Sequence, residues 1–548
     1  MAKSKVLGET VPPYSVRKAL IEAEPLPANI GALLDQAAEE AGDHPAIDFF
    51  EAGRALTYRQ LKDSVDRCAN GMRAIGIGRG SHVAVMLPNI IEFPITWLAI
   101  ARLGAVMVPV NTAYTPRELD HVVTTGEATS IVIDESCLAT FAAAAAAGER
   151  IAADQMVVVG AAGAAKAGAR DWSSLLEGKS GAFHGSEAVG HGDLLNIQFT
   201  SGTTGFPKGV MLTQEYWLVS GKQNAFRDGR RYGRILASTP FFYMDPQWQL
   251  LMALYQRGTL YVANRQSGSR YMEWARTLRI EFGLLPEIVV KQPPSPRDRD
   301  NDIVRVNVYG IARDLHTAIE ERFDLVAREA FGMTEIGTGL FMPIEETAMV
   351  GSGSCGVPAP FREARIVDSE GRPVADGETG ELQIRGRGIL KGYYGNPDAT
   401  RAAFDGDWFR TGDIFRRDAS GFYSIVGRVK DMIRRSGENI AAREVEAVIL
   451  ASPDVAEAAA VPVKDAMRGE EVKAVIVLQQ GVVADEPTLR RIVAQCLANL
   501  APFKVPRYFQ FRADLPKTAS GKIAKPQILA EAADPRAGCF DRATDAWI

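Results

Sequence analysis

The segment Leu195-Asn-Ile-Gln-Phe-Thr-Ser-Gly-Thr-Thr-Gly-Phe-Pro-Lys-Gly-Val210 constrains this chain more than any other stretch. An apolar run of strand type ends in a loop with three glycines, four hydroxyl residues and one lysine. Glycines let backbone N–H groups crowd around an anion. Thr200, Ser201, Thr203 and Thr204 add side-chain donors beside Gly202 and Gly205, and Lys208 supplies charge. By composition this is a polyphosphate cradle that the fold must deliver at a strand end. It is not a Walker A loop, because Pro207 precedes Lys208 and no helix-opening Ser or Thr follows. A Ser/Gly-rich surface turn is the competing reading, and so dense a donor cluster straight after a strand argues against it.

Around this loop the first half alternates helices and strands. Leu56 leads into a helical pattern running through Met72, with Gly76 and Gly78 closing it. His82–Leu87 is a short apolar run stopped by Pro88, a helix-like stretch follows to Leu103, and Val106–Val110 reads as the next strand. Strands spaced by helices of this length predict βαβ units and a largely parallel sheet. Residues 139–169 are Ala-rich, with six alanines in a row from Ala142, and predict a helix with a flexible connection. From Gly351 to Val426, Gly and Pro punctuate short β-type runs, which predicts a small β-rich subdomain. After Lys430 comes a helix from about Arg443, two strands (the second Val472–Leu478), a helix at Glu486–Leu500 and a strand at Val505–Phe511. That is the outline of a compact α+β domain.

Size and composition exclude several classes. The 548 residues exceed one hydrophobic core and suggest roughly three to four folding units. With 46% apolar and 24% charged residues, neither disorder nor a fibre fits. Lys plus Arg number 62 against 67 Asp plus Glu, a net charge of -5 with no bulk attraction for nucleic acid or anionic membrane. Five scattered cysteines without a C-x-x-C exclude a disulfide scaffold and a thiolate zinc site. The N-terminal residues lack the apolar run of a signal peptide, and Ile91–Val110 is interrupted by Glu92, Pro94 and Arg102. A large cytoplasmic enzyme is the expectation. The six histidines fall outside every motif, and neither H-E-x-x-H nor G-x-S-x-G occurs, so zinc hydrolysis and a nucleophile elbow lack support.

The T-S-G-T-T-G-x-P-K-G loop resembles the phosphate loop of the adenylate-forming superfamily: acyl-CoA synthetases, adenylation domains of peptide synthetases, and luciferases. Four further segments resemble that family's motifs, in its order. They are Phe331-Gly-Met-Thr-Glu335, Trp408-Phe-Arg-Thr-Gly-Asp413, Gly427-Arg-Val-Lys-Asp431 with Ser436-Gly-Glu-Asn-Ile440, and Pro516-Lys-Thr-Ala-Ser-Gly-Lys522. Alone, Asp413 could merely close a turn and the lysines of 517–525 could be a solvated tail; five motifs in order, spanning Leu56 to Lys525, decide otherwise.

The resemblance implies an α/β fold with a large N-terminal domain over 1–430, built of αβ subdomains plus the small β-rich one. A mobile α+β domain over 431–548 would carry the catalytic lysine. It implies ATP, Mg²⁺ and coenzyme A, and a reaction in two halves: a carboxylate attacks the α-phosphate to give acyl-AMP and pyrophosphate, then a thiol displaces AMP. The 200–208 loop would hold the β- and γ-phosphates, Glu335 would ligate Mg²⁺, and Thr334 would touch the α-phosphate. Phe331, with Gly332 and Met333, would face the adenine, although the family often has Tyr there. Asp413 would accept from the ribose hydroxyls with Arg428 bracing the same sugar, and Lys522 would stabilise charge on the five-coordinate phosphorus. Lys430 sits at the hinge position, and Ser436-Gly437 would border the path of the pantetheine arm.

The acyl group is less determined. Pro240–Trp248 matches a family segment that commonly carries a His lining the carboxylate pocket; here Tyr243 stands in its place. The Asp245-x-Gln247 spacing, Lys291–Pro296 and Arg435–Ile440 most resemble the crotonobetaine/carnitine-CoA ligase branch. Four aromatics (Phe241, Phe242, Tyr243, Trp248) beside Asp245 could cage a quaternary ammonium, or two or three of them could be core. The leading expectation is an acyl-CoA ligase for an unspecified small or medium carboxylate. A carnitine-type ligase and a stand-alone adenylation enzyme loading a carrier protein are the alternatives, and a homodimer is the assembly considered. A peptide-synthetase module would need a downstream carrier domain, for which the 26 residues after Lys522 are too few. A non-catalytic nucleotide binder would be expected to lack some of Glu335, Asp413, Arg428, Lys430 and Lys522, all of which are present.

Overall fold

The computed structural model describes residues 11–185, 188–200, 207–311, 313–428, 432–435, 438–465, 467–500, 502–518 and 522–548. The chain divides into two compact units. One holds the residues up to Thr200, those on to Ala364, and Ile384–Phe409; the other holds Arg365–Gln383 and Arg410–Ile548.

The first unit is built on two sheets. In one, the order is Gly392–Tyr393, Lys208–Thr213, Leu194–Thr200, Val106–Pro109, His82–Met86, Ser130–Asp134, Met156–Val159 and Arg170–Asp171. Leu194–Thr200 and the strands after it are parallel, while Lys208–Thr213 turns back antiparallel and Gly392–Tyr393 adds to its edge. Strands buried on both faces need continuous apolar runs; Val83–Leu87 is one, buried throughout, with Ala84 and Met86 in the core that holds Val108, Leu119, Val122, Ile133 and Ile197. Helices are stopped and started by local chemistry. Thr57 with Gln60 and Thr115 with Glu118 form capping boxes for Tyr58–Ala74 and Pro116–Thr125.

The expected flexible connection over 139–169 is corrected. Ala144 leaves helical geometry (φ -89°, ψ 92°), splitting the alanine run into Leu138–Ala143 and Ala145–Arg150. Met156–Val159 then forms a parallel strand, and Ala144, Ala147 and Val158 are core. Small side chains let these short helices approach the sheet, a role that low-information sequence conceals.

The second sheet of this unit runs Ser354–Pro358, Gly337–Phe341, Val326–Met333, Arg305–Val308, Phe282–Leu284, Arg234–Ala237, Thr259–Val262, Pro45–Phe49 and Arg54–Thr57. It is parallel from Val326–Met333 through Pro45–Phe49 and antiparallel at its ends.

The second unit holds Tyr423–Arg428 and most of the β-rich strands Arg362–Val367, Thr379–Gly386 and Trp408–Arg417, of which Arg362–Ala364, Ile384–Gly386 and Trp408–Phe409 belong to the other unit. Its α+β part packs Ala442–Leu450 and Glu486–Asn499 with Val455–Asp465, Gly469–Leu478 and Tyr508–Phe511 around Val445, Ile449, Ile476, Ile492 and Phe509. The strand expected at Val505–Phe511 begins at Tyr508, and the side chain of Val505 is core. Among the described residues, no helix is long and apolar enough to cross a membrane.

Candidate active site

Thr200 ends the Leu194–Thr200 strand and Lys208 opens the return strand, the two facing each other in register. Ser201, Gly202, Thr203, Thr204 and Gly205 lie outside the described residues, as do Lys430, Ser436 and Gly437; Arg428 is placed by backbone only. Pro207, just before Lys208, is held from outside the motif: its carbonyl lies 2.9 Å from His121 Nε2, and the imidazole packs edge-on to Phe199. His121 therefore touches the loop although no motif contains it.

Glu335 sits in the tight turn between Val326–Met333 and Gly337–Phe341. Gly337 takes a positive φ of 63°, and a Cβ on Gly332 would come within 2.6 Å of the Gly337 carbonyl, so both positions require glycine. Three buried or backbone groups grip the turn. Tyr216 donates its hydroxyl to the Thr334 carbonyl (2.9 Å), Leu390 N–H to the Glu335 carbonyl (2.7 Å), and Arg362 Nε and Nη2 to the Ile336 carbonyl (3.1 and 2.7 Å). Arg362 is fully buried, and desolvation lowers its pKa to about 10. Glu335 is itself buried, whereas Phe331, Met333 and Thr334 are half-exposed and Gly332 is exposed. Phe331 is thus not a core residue.

Tyr393 joins the two halves of this site. Its hydroxyl donates to Glu335 Oε1 (3.0 Å), and the Lys208 ammonium lies 4.8 Å from its ring centroid. Burial and the neighbouring carboxylate push the phenol pKa far up, so it remains a donor.

The acyl segment is tied to the phosphate-loop strand by buried amides. Asn196 Nδ2 donates to Gln247 Oε1 (3.0 Å), Gln198 Nε2 to the Phe242 carbonyl (2.8 Å), and Gln247 Nε2 to the carbonyls of Phe241 and Tyr243 (2.8 and 3.0 Å). Gln247 is therefore scaffold, tying the 240–248 segment to the phosphate-loop strand. Of the four aromatics beside Asp245, Phe241 is core, packed on Phe49 and Phe93. Phe242 and Trp248 are buried, while Tyr243 is 41% exposed, because it precedes the Met244–Gln256 helix and points away from the core. The Tyr243 hydroxyl accepts from Asn111 Nδ2 (3.3 Å), and burial of the phenol raises its pKa. Asp245 accepts from the Trp248 indole N–H (3.1 Å), and burial raises its pKa above the usual carboxylate range.

In the second unit Asp413 is buried and faces Arg428 across antiparallel strands. Its approach is fixed by Thr411, whose hydroxyl donates to the Leu382 carbonyl and accepts from the Asp413 N–H (2.7 and 3.1 Å). Lys522 is exposed beside the antiparallel Lys517–Ile523 bridge, its carbonyl accepting from the Thr518 N–H (2.7 Å).

The sequence matches the AMP-binding enzyme family over 34–394 and the AMP-binding enzyme C-terminal domain over 444–522. It is 30% identical to the crotonobetaine/carnitine–CoA ligase of Salmonella paratyphi A over 520 residues, covering 91% of this chain and 98% of that protein. It is equally identical to the same enzyme of an Escherichia coli O17:K52:H18 strain, over 86% and 92% of the two chains. The fold matches the crystal structure of the anthranilate CoA ligase AuaEII with anthranoyl-AMP (TM-score 0.82, 22% identity, 93% and 98% coverage). It also matches ATP-bound MatB from Rhodopseudomonas palustris (TM-score 0.78, 26% identity, 92% and 98% coverage). The chain belongs to the AMP-binding enzyme family, as an AMP-forming acyl-CoA ligase.

Proposed function

We propose that this ligase activates a small or medium carboxylic acid as acyl-AMP with release of pyrophosphate, then transfers the acyl group to CoA with release of AMP, in the cytoplasm. The observation that carries the reading is the meeting of Lys208 and Glu335 on Tyr393, beside the strand that enters the 200–208 loop.

Lys208 supplies positive charge to the triphosphate, with Thr200 and residues 201–205 as donors. Thr334, on its gripped turn, contacts the α-phosphate, while Phe331, Gly332 and Met333 border the adenine. Asp413 is a buried acceptor suited to two ribose hydroxyls, with Arg428 opposite it. Lys522 stabilises the negative charge that develops on the five-coordinate phosphorus. Among the described residues no cluster of three or more His, Cys, Asp or Glu could cage a metal. Mg²⁺ on a nucleotide keeps water and phosphate oxygens as ligands and needs only one or two carboxylates, which Glu335 fits. When bound, that ion neutralises phosphate charge. Lys430 is the hinge about which the small domain turns between the half reactions, and Ser436-Gly437 borders the thiol path.

Asp245 favours a second reading, a crotonobetaine/carnitine-type substrate. Its ionisation is disfavoured by burial, so a bound trimethylammonium beside Trp248 would restore a charge the free site holds at a cost. Asp245→Asn should then selectively weaken that substrate relative to its uncharged isostere; equal losses on both would remove this reading alone.

The main reading is tested by pyrophosphate release over a carboxylate panel, with and without CoA. Carboxylate-dependent pyrophosphate, with thioester and AMP appearing when CoA is added, is expected. Pyrophosphate without CoA thioester would indicate a carrier-loading enzyme, and no pyrophosphate with any acid a nucleotide-binding protein. The candidate homodimer is checked by light scattering.

A further inference from the structure

We propose that Tyr393 is a positioning residue for the metal–triphosphate end of the site, setting the Glu335 carboxylate through its hydroxyl and the Lys208 ammonium through its ring. The inference rests on the AMP-forming reading above. Three lines of geometry converge on this side chain.

The first is its backbone. Residues 390–394 form a strap between the two elements that bear the charged groups. Leu390 N–H binds the Glu335 carbonyl (2.7 Å), Lys391 N–H the Met211 carbonyl (2.9 Å), and Tyr394 N–H the Gly209 carbonyl (2.8 Å). Gly392 and Tyr393 pair antiparallel with Met211 and Val210, on the strand that Lys208 opens. Tyr393 N–H is also satisfied, by Thr400 Oγ1 (2.9 Å). The strap passes so close to Thr400 that a Cβ on Gly392, at φ 142°, would meet its Cγ2 at 2.8 Å. The backbone of Tyr393 is thus fixed relative to both the loop strand and the Glu335 turn.

The second line is the pair of side-chain contacts. A carboxylate that ligates a metal through one oxygen is oriented by hydrogen bonds to the group, and losing such a partner typically costs about 10–100-fold in metal affinity. The Tyr393 hydroxyl makes such a bond to Glu335 Oε1. The ring face meanwhile takes the Lys208 ammonium, whose N–H donors are not consumed one for one by a cation–π contact. One rigid aromatic therefore serves a cation and an anion that must both face a triphosphate. The third line is burial: the Tyr393 side chain is 9% exposed, which keeps water from competing for either contact.

The test is equilibrium binding of ATP by calorimetry, without carboxylate or CoA, in EDTA and across a Mg²⁺ titration. Tyr393→Phe keeps the ring and removes the hydroxyl. It should leave ATP affinity in EDTA within about twofold of wild type, while the Mg²⁺ concentration that half-maximally tightens ATP binding rises about tenfold or more. Tyr393→Leu should show that same rise and, in addition, weaker ATP binding in EDTA. Thermal unfolding of both variants reports folding, and a purely structural Tyr393 would move the melting point without moving the Mg²⁺ dependence. Wild-type Mg²⁺ dependence in Tyr393→Phe overturns the proposal while leaving the ligase reading intact. Wild-type protein whose ATP binding does not respond to Mg²⁺ overturns both.

Discussion

The turn that carries Glu335 and the segment that carries Tyr243 and Asp245 are both held by buried hydrogen bonds in one unit, yet they are built on different principles. At the nucleotide end, main-chain carbonyls of Thr334, Glu335 and Ile336 are gripped by Tyr216, Leu390 and Arg362, and the charged side chains meet on Tyr393. At the acyl end the scaffold is side-chain amides, Asn196, Gln198 and Gln247, with Tyr243 turned outward. On the proposed assignment, the triphosphate, the same in every turnover, meets a turn gripped through its main-chain carbonyls, and the acyl group meets single side chains on an amide frame. The nucleotide end should therefore govern all substrates alike, and the acyl end should govern which substrate is used.

The largest effect expected lies with Lys522, which is proposed to act at the α-phosphate. Lys522→Ala should lower acyl-adenylate formation on the order of a hundredfold or more for every acid, because it acts on charge present only in the transition state. Thioester formation from supplied acyl-AMP should survive. Next, Trp248→Ala should change the relative kcat/KM for short and longer carboxylates by about tenfold or more while the KM for ATP moves little. Substitution of the frame tests its role: Gln247→Ala removes the amide that bridges Asn196 Nδ2 to the Phe241 and Tyr243 carbonyls, leaving Asn196 Nδ2 only its 3.4 Å bond to Gln198 Oε1, and should cost about 1–3 kcal/mol, read as a lower melting temperature. An unchanged melting temperature would show that water replaces the amide.

The smallest effect concerns pH. Asp245 has its folded-state pKa raised by burial above the ordinary value of 3.8, so the folded state disfavours the ionised form. The penalty is absent below that ordinary value and grows as pH rises through the folded-state pKa. Asp245→Asn should therefore be more thermostable than wild type at neutral pH, with the advantage vanishing as the pH falls toward the ordinary carboxylate pKa. A variant less stable at neutral pH would show that the charge is stabilised instead.

The same contrast explains what was legible in the sequence. Val83–Leu87 reads as a strand because burial on both faces demands unbroken apolar character, Leu194–Thr200 reads as one by its alternate apolar residues, and the motif glycines announce turns that backbone geometry requires. Asn196 and Gln198 are visible as polar residues in such a run, but their partners lie 51 and 44 residues away, which periodicity does not encode. His121 reaches the site from the Pro116–Thr125 helix and Tyr393 through strand order, so their isolated positions carried no signal. Phe241 and Phe242 are neighbours of the same chemistry, yet Phe241 packs between Phe49 and Phe93 while Phe242 contacts Tyr243. Which neighbours each of two adjacent aromatics packs against depends on tertiary contacts that composition does not fix.

The separation of the two ends is tested most directly by ATP–pyrophosphate exchange with CoA omitted, measured over one carboxylate panel for wild type, Lys522→Ala and Trp248→Ala. The account predicts exchange lost on every acid in Lys522→Ala, and a reordered preference with exchange retained in Trp248→Ala. Near-normal exchange in the lysine variant, or an unchanged preference order in the tryptophan variant, would contradict it.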